Sequence, residues 1–89
     1  MKNSLLMHFV YILYSETIDV YYVGSTSNLN DRIQRHNSGR STYTKRGIPW
    51  KLVYTHQFDT KAEAYRAEMY IKSQKSRIYI ENLIRDKYV

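Results

Sequence analysis

Eighty-nine residues without a cysteine suffice for one domain, 1–89, with a modest core, and they exclude disulfide stapling and thiolate zinc sites. A 43% share of hydrophobic residues argues against a disordered chain, and no apolar run approaches the roughly 20 residues of a membrane span. The formal net charge of +6 favours a polyanionic partner, nucleic acid first.

The opening Met1–His8 holds one lysine and a short apolar pair. It lacks the apolar length and cleavage site of a signal peptide, so a cytoplasmic location is expected. His8 to Ser15 is aromatic and β-branched, with Phe9, Tyr11 and Leu13 on one face and Val10, Ile12 and Tyr14 on the other. A strand apolar on both faces is expected to be covered on both sides. Glu16 to Asp19 is short and polar, a hairpin turn, and Val20 to Gly24 returns as a second, antiparallel strand that Gly24 is expected to end. Tyr11 and Tyr22 then lie on neighbouring strands, in a register the sequence leaves open.

Ser27 or Asn28 can cap a helix from Leu29 to Asn37, with Gly39 as its C-terminal stop. Leu29, Ile33 and His36 form its apolar stripe, Arg32 borders that stripe, and Gln34 and Arg35 point to solvent. Gly39 to Pro49 reads as a loop rich in basic residues around a tyrosine, which suits phosphate contact and base stacking; an ordinary polar connection would look the same. No acidic residue stands between Asp31 and Asp59, an interval that holds Arg32, Arg35, Arg40, Lys45, Arg46 and Lys51. The expected DNA contacts are Arg35, Arg40, Tyr43, Lys45, Arg46 and, further on, Lys72.

Trp50 to Phe58 is the third strand, with Trp50, Leu52 and Tyr54 alternating against Lys51, Val53 and Thr55. Thr60-Lys61-Ala62-Glu63 is a capping-box pattern. It opens a helix to about Ser73 with an inner stripe of Ala64, Ala67 and Ile71, Tyr65 beside it. Glu68 falls on that apolar face, where an ionised carboxylate is costly unless paired or bound to a cation. Ser76 can cap a last helix from Arg77 to about Lys87, packing through Ile80, Leu83, Ile84 and Tyr88.

Tyr11, Tyr22, Arg32 and Glu68 make chemical sense together in phosphodiester hydrolysis. A single glutamate that leaves a cation several waters suits magnesium, which polarises the phosphate. Arginine offers a fork that neutralises two phosphoryl oxygens. Tyrosine is a weak base at its free pKa of about 10, and nearby cations favour its ionised form. Each residue also has a plain structural explanation: tyrosines pack in strands, arginines lie on surfaces, and a salt bridge to Arg32 or Lys72 would satisfy Glu68. His36, with no second histidine at ligand spacing, suits a helix-face or phosphate-contact role better than a metal site.

Val10-Tyr11-Ile12, then Tyr22-Val23-Gly24, then Arg32-x-x-x-His36-Asn37-Ser38-Gly39, then Arg66-Ala67-Glu68 resembles the GIY-YIG nuclease superfamily. Tyr43-Thr44 through Gly47-Ile48-Pro49-Trp50-x-Leu52-Val53-Tyr54 is similar to its small stand-alone, excinuclease-like or UPF0213-type members. The resemblance implies an α+β fold (in the broad sense α/β), a three-stranded antiparallel sheet flanked by helices. It implies that Tyr11 and Tyr22 share a catalytic centre and that one of them assists proton removal from the attacking water. It further implies that His36 supports the base, that Arg32 binds the scissile phosphate, and that Glu68 holds one divalent ion, Mg2+ or Mn2+. Val10 stands where the family's first triad begins with glycine, Val23 in the middle of the second, and Ser25 where many catalytic members carry lysine. Ile80 stands at the family's asparagine position; Asn82 is two residues, about 200° of helix, further on.

The leading expectation is a metal-dependent endonuclease acting on damaged or branched DNA in repair or recombination. The alternative is a nucleic-acid-binding module of the same fold with weak or no cleavage, relying on a protein partner for targeting. The third is a structural domain whose Glu68 is only salt-bridged.

Overall fold

The apolar double face of the first strand places it in the middle of the sheet. The computed structural model describes residues 7–87. Its elements are β1 (His8–Ser15), β2 (Val20–Thr26), α1 (Leu29–Asn37), a 3-10 turn (Lys45–Gly47), β3 (Trp50–Phe58), α2 (Lys61–Ser73) and α3 (Arg77–Lys87). The sheet is antiparallel in the order β2-β1-β3, as the expected α+β architecture requires. Val10, Tyr11, Ile12 and Leu13 of β1 are almost completely buried; burial of each large apolar side chain contributes about 1.5–3 kcal/mol.

The two faces carry two cores. Tyr11, Leu13 and Trp50 pack with Tyr22, Leu29, Ile33 and Ile48 on the side of α1. Val10, Ile12, Val23, Tyr54 and Ile71 pack with residues of α2 and α3, among them Ala67, Ile80, Leu83 and Ile84. Tyr21 packs on this second side, opposite to Tyr22. Tyr88, expected in the α3 stripe, lies outside the described residues, as does most of Met1–His8.

The sequence reading needs correction at three points. Gly24 does not end β2: the ladder continues through Val10–Ser25 to Phe9–Thr26, and Gly24 lies opposite Tyr11. A Cβ there would sit 2.5 Å from the Tyr11 hydroxyl oxygen, so glycine is needed for close approach rather than for a turn. The alternation of β3 breaks where the pairing passes from Ile12–Tyr54 to Leu13–Leu52. That bulge leaves Trp50 facing the α1 core while Tyr54 faces the other, because one extra residue reverses every later side chain. Tyr65, read as a neighbour of the α2 stripe, is 54% exposed.

The caps follow side-chain chemistry. Asn28 accepts from Asp31 N–H at the start of α1, and Gly39 follows its end with φ +82, a left-handed conformation that suits glycine. The Thr60–Glu63 capping box is complete. Tyr79 N–H donates to Ser76 Oγ at the start of α3. Arg77 ties that helix to the β1–β2 turn through Asp19, at 2.6 Å, and pairs with Glu81 one turn along the same helix, at 3.0 Å.

Candidate active site

Antiparallel pairing decides which groups meet. Tyr11 faces Gly24 and Tyr22 faces Leu13, so both tyrosines project from the α1 side of the sheet, with ring centroids 6.4 Å apart. The α1 stripe brings His36 onto them: its ring lies 4.8 Å from that of Tyr22, and its Nε2 lies 3.2 Å from Tyr11 Oη. His36 is 3% exposed. On its far side Nδ1 lies 2.8 Å from Thr44 Oγ1.

Electrostatics separate these groups. Burial, first, and then the neighbouring Tyr22 push the Tyr11 phenol up to about 12, while the Arg32 guanidinium beside it pulls the other way. Burial holds His36 below its ordinary value, helped by the charges of Arg32 and Arg35. The unfolded chain therefore takes up the His36 proton first as pH falls. The stability contributed by neutral His36 is present above about pH 6.5 and is lost as pH drops through the lower folded-state value. Thermal unfolding from about pH 7.5 to about pH 5 should show a larger fall in Tm for the wild type than for His36→Gln.

Arg32 is half-buried, and its Nε is buried without a hydrogen-bond partner among the described residues. It lines a pocket of about 200 Å3 with Ser25, Ser27, Lys61 and His8. An arginine N–H left unpaired away from water is costly, and its placement beside other donors suits an incoming anion.

Glu68 reaches the same end of the sheet from α2, its side chain 12% exposed. Oε1 accepts from Ser25 Oγ at 2.7 Å and Oε2 holds the Lys72 ammonium at 2.6 Å. The salt bridge allowed for in the sequence is thus formed. Among the described residues no group of three or more metal-ligating side chains gathers. Glu68 still suits a hard cation: Oε2 already faces a positive charge, a hydroxyl oxygen stands beside Oε1, and one carboxylate with several waters is an ordinary magnesium environment. Lys72, 44% exposed, would have to swing away.

Of the residues expected at DNA, Tyr43, Arg46 and Lys72 line one groove of about 860 Å3 with Tyr22 and Trp50. Tyr43 is 85% exposed and stands 6.2 Å from the Tyr22 ring. Arg35, Arg40 and Lys45 are exposed on the end of α1 and the loop beyond it. That loop is tied down rather than free. The Trp50 indole N–H donates to Thr44 O at 2.7 Å, and the Asn37 amide brackets the Trp50 backbone, accepting from its N–H at 2.6 Å and donating to its carbonyl at 3.0 Å.

Sequence reasoning gave no role to Thr44, Asn37 or Lys75, a further lining residue of the groove. Lys75 follows three residues after Lys72. Nothing in the spacing marked Thr44, because its contact with His36 crosses from loop to helix.

The GIY-YIG catalytic domain family matches residues 7–82. The UPF0213 protein YazA of Bacillus subtilis is 37% identical over 78 residues, 83% of this chain and 78% of that one. A UPF0213 protein of Natronomonas pharaonis is 38% identical over 81 residues, 90% of this chain and 93% of its own length. The solution NMR structure of a UPF0213 protein from Bacillus halodurans is 38% identical and superposes with a TM-score of 0.59, covering 91% of this chain and 85% of that chain.

Proposed function

Because the chain belongs to the GIY-YIG family, among its UPF0213 members, we propose that it is a divalent-metal-dependent endonuclease that hydrolyses phosphodiester bonds in damaged or branched DNA during repair or recombination. The observation that carries this reading is the buried Arg32 Nε, without a hydrogen-bond partner among the described residues, beside the tyrosine pair. A scissile phosphate supplies the acceptor that this donor lacks, and the guanidinium fork then meets the charge that grows on the phosphoryl oxygens.

The remaining roles follow from burial. Tyr11 is fully buried and lines neither the groove nor the Arg32 pocket. Proton removal from the attacking water falls to Tyr22, which is half-buried and lines the groove. His36 holds the Tyr11 oxygen behind it, with the Arg32 charge nearby. Glu68 is the ligand for a single Mg2+ or Mn2+, which when bound supplies Lewis-acid polarisation of the phosphate. Tyr43, Arg46, Lys72 and Lys75 carry the DNA backbone past the centre, and Arg35, Arg40 and Lys45 extend the basic face.

The test is cleavage of supercoiled, nicked, flap and junction DNA by the purified chain with Mg2+ or Mn2+, and with a chelator. Hydrolysis is expected with either cation and is expected to vanish with the chelator; cleavage that persists without cation would overturn the metal role. A second reading, binding without cleavage, is favoured by the Lys72 ammonium already seated on Glu68. It would be supported by salt-dependent binding with no turnover on any of these substrates.

A further inference from the structure

We infer that the groove along the free edge of β2 takes an unpaired stretch of DNA strand, with Tyr43 as the platform on which a base stacks, and that duplex DNA does not fill it. This assignment deepens the nuclease reading above, on which the choice of DNA rests, by naming the form of DNA that reaches Tyr22. The binding itself needs no cleavage.

The sheet order β2-β1-β3 leaves β2 at an edge. Its outer backbone groups have no strand partner among the described residues, and such an edge is a row of open donors and acceptors. The groove of about 860 Å3 follows that edge, past Val20, Tyr21 and Tyr22. Tyr43, Arg46 and Trp50 border it on the α1 side of the sheet, and Ile71, Lys72 and Lys75 on the α2 side.

The mixture of lining groups selects the occupant. No Asp or Glu lines the groove and three basic residues do, in a chain of net charge +6, so an anion is favoured. Much of the remaining lining is aromatic or aliphatic and open to water: Tyr43 is 85% exposed, and Ile18 and Val20 are exposed beside it. A duplex presents phosphate and sugar outward and hides its base faces in the stack, so it would leave this apolar lining uncovered. An unpaired strand carries both partners in each nucleotide, a phosphate for the cations and a flat base for a ring.

Two details fit a strand held at this place. The Tyr43 ring is tilted by 55° from that of Tyr22, with centroids 6.2 Å apart; the two are not stacked on each other, and a base on Tyr43 stands next to Tyr22. Lys75 has φ 49, a left-handed conformation that suits glycine better, so a cation is kept at the groove at some conformational cost. The lining also favours deoxyribose over ribose. It offers no carboxylate to a 2′-hydroxyl, and its Thr44 and Ser76 hydroxyls are engaged with His36 Nδ1 and Tyr79 N–H.

The experiment is fluorescence anisotropy of labelled oligonucleotides of about 16 nucleotides, mixed with the full chain at one fixed salt concentration and with a chelator present. Single-stranded DNA is expected to bind about tenfold more tightly than the duplex of the same sequence, and more tightly than single-stranded RNA. Tyr43→Ala is expected to weaken single-strand binding about tenfold, the scale of one lost base–ring stack, and to leave duplex binding unchanged, while Tyr43→Phe keeps the wild-type affinity. The exposure of Tyr43 lets it be truncated without touching either core. Duplex bound as tightly as single strand, or Tyr43→Ala binding single strand like the wild type, would overturn the inference. RNA bound as tightly as DNA would overturn the choice of DNA. A dimer in sedimentation that single-stranded DNA does not dissociate would put a second copy of the chain in the groove and overturn it too. The expected preference in a chain that cuts no DNA would leave this inference standing and defeat the nuclease reading; cutting of duplex without that preference would do the reverse.

Discussion

Glu68→Gln is expected to lower DNA hydrolysis by roughly 10^3-fold, the size of loss when several kcal/mol of cation-borne charge stabilisation is withdrawn. The substitution keeps the shape of the side chain, and an amide oxygen can still accept from Ser25, whose hydroxyl lies 2.7 Å from Oε1. What it removes is the negative charge that now holds Lys72 at 2.6 Å and that a divalent ion would need. The measurement is plasmid nicking across a range of Mn2+ concentrations. Activity recovered at high Mn2+ would mean the variant weakens cation binding, as expected for a ligand. Activity near the wild-type level at all concentrations would show that Glu68 is a structural residue paired to Lys72 and nothing more. Lys72 belongs to the same test: Lys72→Met should leave Glu68 more open to Mn2+, lowering the concentration needed for half-maximal binding.

Arg32→Lys is expected to lower hydrolysis by about 10^2- to 10^3-fold, the range for losing one preorganised donor to a developing oxyanion. The charge is kept; the planar fork is not, and a single ammonium cannot contact two phosphoryl oxygens in the same way. Stability should not follow activity. The wild-type Nε is buried without a partner among the described residues, so replacing it relieves an unpaired donor that costs about 1–3 kcal/mol. Denaturant unfolding of Arg32→Lys is therefore expected to show a midpoint equal to or above that of the wild type. A large fall in stability with the loss of activity would mean that Arg32 is a packing residue. This divergence is what a residue kept for function at some expense to the fold should show.

Much of the fold was legible because its signals are local. The β1 limits, the α1 stripe of Leu29, Ile33 and His36, the Thr60–Glu63 box and the inward phase of Glu68 each depend on residues within one or two turns of chain. Gly24 was misread for the opposite reason. A glycine after a strand-like run reads as a turn, but here it answers the Tyr11 hydroxyl arriving from the neighbouring strand. The β3 bulge is similar, since its position is set by packing against two different cores and not by the pattern of residues within β3.

The sequence by itself determined the cast of the candidate site: two tyrosines on paired strands, an arginine and a histidine on one helix, and a carboxylate turned inward from another. It could do so because residue chemistry and helical or strand phase are properties of short segments. The tertiary structure alone decided their relations. Register placed Tyr22 on the same face as Tyr11, and the anchored loop brought Thr44 to the hidden nitrogen of His36. Ser25, conspicuous in sequence as a missing lysine, became the hydroxyl that holds Glu68 from across the fold. Contacts of this kind form between segments far apart in the chain, where no periodicity connects the partners and only the packed fold sets the distance.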